Sequence, residues 1–135
     1  MSNYVPKDLL FDNEGRDKLI SGISKISKAV KSTLGPRGKT VLIESSNHTQ
    51  GITITKDGVT VAESISLIDP VENLAITMMK DAARRTANSA GDGTTTAIVL
   101  TEALVKSGEK FLKPEHNITE VVKSIKVITD KVVSS

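Results

Sequence analysis

The chain has 135 residues, 38% hydrophobic and 25% charged, which suits one globular domain with a modest core and is too short for two independent ones. A formal charge of +2 with aromatics at 2% argues against nucleic acid, and the absence of cysteine, with His48 and His116 in unrelated contexts, argues against disulfides and a zinc site. No apolar run approaches the ~18 residues of a membrane span and MSNYVPKDLL lacks the features of a signal peptide, so a cytoplasmic protein without membrane contact is expected.

After an apolar lead of Leu9, Leu10 and Phe11, residues 13–33 place Leu19, Ile23, Ile26 and Val30 at helical spacing with lysines between them. Gly15 and Gly22 each weaken this helix by up to ~1 kcal/mol relative to alanine, so packing must hold it. TLGPRGKT ends the helix at Gly35 and Pro36, and KTVLIE alternates as a strand. The polar segment SSNHTQG is a loop, GITIT the returning strand, and Asp57-Gly58 a tight turn into VTVAESISL.

From Val71 the pattern is almost wholly helical. Val71, Leu74, Ala75, Met78 and Ala82 define one apolar face of a helix ending near Asn88. Residues 95–112 are apolar nearly all round, which predicts the buried centre of a bundle, and the helices of these 135 residues cannot surround it on every side, so an open apolar face is expected. A last helix opens with Asn117 and Glu120 in capping-box spacing and is expected to bury Ile118, Val121, Val122, Ile125, Ile128 and Val132.

Between the third and fourth predicted helices lies AGDGTTTA. Its threonines begin a helix, where amides lack internal acceptors and the peptide dipoles favour an anion such as phosphate. Gly91 and Gly93 permit close backbone approach, Asp92 offers a hard oxygen to magnesium, and Thr94, Thr95 and Thr96 add donors. The same residues also suit an ordinary helix-to-helix turn with an N-cap, and GxxxxGK[ST] is absent. TLGPRG and Lys56-Asp57-Gly58 taken singly are turns as well, and only three glycine-containing joints in one small domain point toward a shared ligand.

TLGPRGKTV, TITKDGVTVA and AGDGTTTAIVL, in this order and at these separations, resemble the group I chaperonins, the GroEL family, in the first segment of their equatorial domain. The resemblance runs from about Asp8 to the end of the chain. It implies a mainly α fold, an equatorial-type helical bundle with a small β-hairpin, in a subunit whose ATP hydrolysis serves protein folding in a homo-oligomeric ring with a co-chaperonin. Matched position by position, Thr33, Leu34, Gly35 and Pro36 would line the nucleotide, and Thr33 and Lys56 would give oxygens to a potassium ion. Asp92 would hold magnesium, and Gly93, Thr94, Thr95 and Thr96 would cradle the phosphates. Asp57, which has no obvious structural partner in the sequence, would orient or activate the attacking water, in keeping with phosphoryl transfer by positioning and electrostatics.

Two departures stand beside these matches. Loop 45–51 has no proline where the family usually has one, in a segment that normally reaches a neighbouring subunit. Residues 1–135 also correspond to only the N-terminal half of an equatorial domain; the hinge, the apical domain, the returning equatorial segment and a second catalytic aspartate are expected outside them. Two function classes follow: an ATPase chaperonin subunit, nearly inactive as these 135 residues alone, or a non-enzymatic module that joins or modulates another chaperonin ring.

Overall fold

In the computed structural model, which describes residues 12–44, 51–113 and 115–135, the first amphipathic stretch forms α1 (Asp12–Lys31) and turns Ile26 and Val30 fully away from solvent. The apolar lead 9–11 and the loop residues 45–50, with their expected ring contact, lie outside the described residues. Strands β1 (Val41–Glu44) and β2 (Ile52–Thr55) pair antiparallel, Val41 opposite Thr55 and Glu44 opposite Ile52. Alternation decides their faces: Val41 and Ile43 pack toward the core, while Leu42, Ile52 and Ile54 are exposed.

Asp57-Gly58 is not a turn between extended segments. It starts a helix, α2 (Gly58–Ser64), whose Val61 and Ala62 are buried. Two turns are too short to show a period, and the β-branched residues of GVTVAES disguise the helix further. Helix α3 (Pro70–Ala90) begins at Asp69, whose side chain accepts the amides of Val71 and Glu72, with Pro70 at the first helical position. Helices α4 (Thr94–Phe111) and α5 (Ile118–Val133) complete the order, and Asn117 caps α5 through the amides of Thr119 and Glu120.

The core is built by α1, α2, α3 and α4 from Ile26, Val30, Val61, Ala62, Ile76, Met79, Ala83 and Ile98. On α3 the buried face is therefore Ala75, Ile76, Met79 and Ala83; Leu74, Met78 and Ala82, expected inside, are exposed. ITMMKDAA carries two overlapping apolar stripes, and the position of α1 selects one. At that crossing a Cβ on Gly22 would stand 2.4 Å from the carbonyl oxygen of Glu72, so the glycine that weakens α1 is what lets the two backbones meet. The Glu72 carboxylate secures the contact by accepting from Ser21 Oγ at 2.7 Å and Lys25 Nζ at 2.5 Å.

Helix α4 is not enclosed within the bundle formed here. It buries Thr94, Ile98 and Glu102 along one face and leaves Leu100 57% and Leu104 60% exposed. The expected burial of α5 is likewise not found: Ile118, Val122, Ile125, Ile128 and Val132 are exposed and Val121 is half-buried. Its amphipathic face has the right pattern but is left largely uncovered by the described residues.

Glu102 is the charged group inside the α1–α4 interface. Burial raises the carboxyl's pKa, but hydrogen bonds from Lys106, Lys31 and Ser27 outweigh that and bring it down to about 2.

Candidate functional site

Three joints between elements carry the predicted residues, and each is shaped by its own sequence. After α1 the chain closes a compact loop. The Thr33 amide donates to Val30 O at 3.0 Å, Leu34 to Lys31 O at 3.2 Å, Gly38 to Gly35 O at 2.9 Å and Lys39 to Ser32 O at 2.7 Å. Leu34, Gly35 and Pro36 lie on its exposed side.

At the second joint, Asp57 has partners after all. Its carboxylate accepts the Val59 amide at 3.1 Å, the Thr60 amide at 3.0 Å and Thr60 Oγ1 at 2.7 Å, so it is the N-cap of α2. The Thr60 hydroxyl, then its amide, hold the Asp57 carboxyl below its usual pKa. Asp57 remains exposed, as does Lys56. Of the roughly four lone-pair sites of a carboxylate, three are taken, and Oδ1 retains one.

The third joint is residues 91–93 together with the first turn of α4. Gly91 and Gly93 both have left-handed backbone, φ 75° and 86°, which a side chain would strain. This sharp reversal starts α4 without a side-chain cap, and the first amides of the helix have no helical carbonyl to bond. Asp92 is exposed beside them and accepts from the Gly93 amide at 2.6 Å.

Gly58 is where the three joints meet. It is buried, and a Cβ placed on it would lie 2.1 Å from Thr95 Oγ1 and 3.2 Å from Thr33 Oγ1. Thr33 from the first joint, Gly58 from the second and Thr95 from the third are therefore neighbours. Asp57 and Lys56 adjoin them through the chain on one side, and Thr94 and Thr96 on another. No cluster of three or more histidine, aspartate or glutamate side chains suited to a metal occurs among the described residues. A magnesium ion here would rest on Asp92, phosphate oxygens and water, a common arrangement for that ion.

A groove of about 710 Å³ lies elsewhere, lined by Leu19, Ile20, Ile23, Val105, Leu112 and Ile118 among others. It contains no residue of the three joints. It is a seam where α1, α4 and the start of α5 fail to close on one another, apolar at its centre with Asn13, Arg16, Glu109, Lys113 and His116 also in its lining.

A model of the TCP-1/cpn60 chaperonin family matches residues 26–135, the stretch that contains all three joints. The chain belongs to this chaperonin family. Chaperonin GroEL 1 of Rhodopirellula baltica is 47% identical over 108 residues, covering 80% of this chain and 19% of that protein. Crystal structures of the chaperonin gp146 from the bacteriophage EL 2 (Pseudomonas aeruginosa), in presence of ATP-BeFx, match at 35% identity. One has a TM-score of 0.70, covering 82% of this chain and 20% of the other. The second has a TM-score of 0.69, with 76% and 18% covered. The chain thus spans about a fifth of the length of these chaperonins. Its helices with a two-stranded hairpin are the chaperonin equatorial fold, in the N-terminal segment of that domain.

Sequence reasoning missed Gly58 as the meeting point and Glu102 as a buried charge. A glutamate interrupting an apolar helix, with a lysine four residues on, was the available signal for Glu102. Nothing local signals that the hydroxyls of Thr33 and Thr95 close on Gly58.

Proposed function

We propose that this chaperonin segment forms one side of a magnesium-ATP site in a subunit that hydrolyses ATP to refold non-native proteins inside a ring. The approach of Gly58 to Thr95 and Thr33 carries this reading, because it joins three otherwise ordinary turns into one locus. The uncapped start of α4, with Gly93, Thr94, Thr95 and Thr96, suits phosphate through amide donors and the helix dipole. Thr33, Leu34, Gly35 and Pro36 would border the nucleotide, and Asp92 would hold magnesium. Oxygens of Thr33 and Lys56 would serve a potassium ion. Bound magnesium would neutralise phosphate charge.

Asp57 stays ionised at neutral pH and has one free acceptor site, which fits it to orient a water by accepting its proton side. It would do so while capping α2, so its orientation is fixed by the helix. In this reading residues 1–135 are the N-terminal half of the equatorial domain. The intermediate and apical domains, substrate and co-chaperonin contacts and a further catalytic aspartate belong to sequence beyond them. A cytoplasmic setting accords with the absence, among the described residues, of any helix long and apolar enough to cross a membrane.

Calorimetry of Mg-ATP binding tests the site. Asp92→Ala should weaken binding at least tenfold, on the order of the 1.5–3 kcal/mol of a charged contact. Unchanged affinity would remove Asp92 from the site.

A second reading is favoured by one observation, the exposed apolar faces of α4 and α5 at Leu100, Leu104, Val122, Ile125 and Ile128. Such faces also suit a non-enzymatic module that joins or modulates another chaperonin ring. ATP turnover by the protein in its complete ring separates the two.

A further inference from the structure

We infer that Glu102 is a positioning residue for the proposed nucleotide site, pinning the last turn of α1 to α4 and thereby fixing loop 33–38 relative to the start of α4. This rests on the nucleotide reading above and adds a residue that contacts no ligand. Thr94, Ile98 and Glu102 follow at four-residue spacing on one face of α4, with 5%, 1% and 5% exposure. The helix rise puts Glu102 roughly 12 Å below Thr94.

On the opposing helix, Ser27 and Lys31 stand one turn apart. Ser27 Oγ donates to Glu102 Oε2 at 2.6 Å, and Lys31 Nζ donates to the same oxygen. Lys106 Nζ, one turn along α4, donates to Oε1 at 2.7 Å. Two of the carboxylate's three donors thus come from the end of α1, and the third holds its other oxygen on α4.

The loop begins where this pin sits. Lys31 O accepts the Leu34 amide at 3.2 Å, Ser32 O accepts the Lys39 amide at 2.7 Å, and Thr33 Oγ1 donates to Val30 O at 2.8 Å. Apart from the Gly38 amide, which donates to Gly35 O within the loop, these hydrogen bonds run back to the end of α1 and the residue after it. If that turn shifts along α4, Thr33 shifts relative to Thr95 and Gly58. An apolar side chain at position 102 would fill the same space without the desolvation cost of a carboxylate. It would not hold Ser27 and Lys31 in one register.

The test uses the full 135-residue chain, comparing wild type, Glu102→Gln and Met79→Ala. Glu102→Gln keeps size and an acceptor for Ser27 but loses the attraction for both lysines. Met79→Ala destabilises the core without removing any hydrogen bond of the pin. Amide hydrogen exchange at Gly38 and Lys39 and the affinity for Mg-ADP are measured for each. In Glu102→Gln, exchange at the two amides should be at least tenfold faster than in Met79→Ala after correction for global stability. Mg-ADP should bind at least fivefold more weakly, while Met79→Ala stays within twofold of wild type. Ser27→Ala, a milder change, should move both readouts in the same direction. Exchange in Glu102→Gln equal to that in Met79→Ala overturns the pin. Absence of Mg-ADP binding both by the wild-type chain and by a complete subunit that contains it overturns the nucleotide reading instead, and the exchange comparison still decides the pin.

Discussion

Replacing Gly58 with alanine places a methyl group where three segments meet, and the structure sets the cost. The new Cβ would be 2.1 Å from Thr95 Oγ1 and 3.3 Å from Thr95 Cβ. Rotating the threonine out of its rotamer relieves the first contact and leaves the second, which a shift of a few tenths of an ångström between α2 and α4 accommodates. Overpacking of this kind costs about 1–3 kcal/mol. Alanine regains at most ~1 kcal/mol of helix propensity, less at the first helical position. The expected net loss is about 1–2 kcal/mol, read as a lower urea midpoint at unchanged slope. In a Thr95→Ala background the obstructing hydroxyl is gone, and adding Gly58→Ala should cost under about 0.5 kcal/mol more. The double-mutant cycle should therefore return a coupling of about 1 kcal/mol between residues 37 positions apart in sequence. Additive losses would mean that the second and third joints do not touch, and the shared locus would fail with them.

Against the opposing effect of burial, hydrogen bonds from Lys106, Lys31 and Ser27 bring the Glu102 carboxyl down to about 2 in the folded chain, from an ordinary value of 4.5. The unfolded chain binds the extra proton between those pH values, so the stabilisation is complete above about pH 4.5 and lost as pH falls toward 2, up to about 3 kcal/mol. Urea titrations across that range should show Glu102→Gln with a flatter acid limb than wild type, and parallel limbs would contradict the assignment. Asp57→Ala should lose about 1 kcal/mol with its cap, whereas Asp57→Asn should keep most of that stability. In a complete ring both should bind ATP yet turn it over slowly, and wild-type turnover by Asp57→Asn would leave this residue a cap alone. By sedimentation velocity the 135-residue chain should associate through its exposed apolar faces. Leu104→Lys with Ile125→Lys should shift it toward monomer, and a monomeric wild-type chain with full ATPase activity would contradict the expectation.

What could be read from the sequence was what local chemistry determines. Alternation marked the first strand and GITIT its return, the spacing of Ile26 and Val30 marked α1, and Asn117 marked the start of α5. Choices made by neighbours were not legible. Leu74 and Met78 form as good a stripe as Ile76 and Met79, and only the placement of α1 decides between them. Gly22 reads as a weak point until α3 is seen crossing over it. Asp57 reads as a turn residue because seven residues of α2 give too little period to announce a helix. For the candidate site, the three motifs were visible singly, but their meeting at Gly58 depends on the fold.

The most direct test of the shared site is a titration of the isotope-labelled chain with Mg-ATP, followed by the backbone amide resonances. The account predicts that amides of residues 33–38, Gly58 and residues 91–96 shift together along one binding curve, and that Asp92→Ala weakens all three sets equally. Shifts confined to one joint, or centred on the apolar groove around Leu19, Ile23 and Val105, would contradict it.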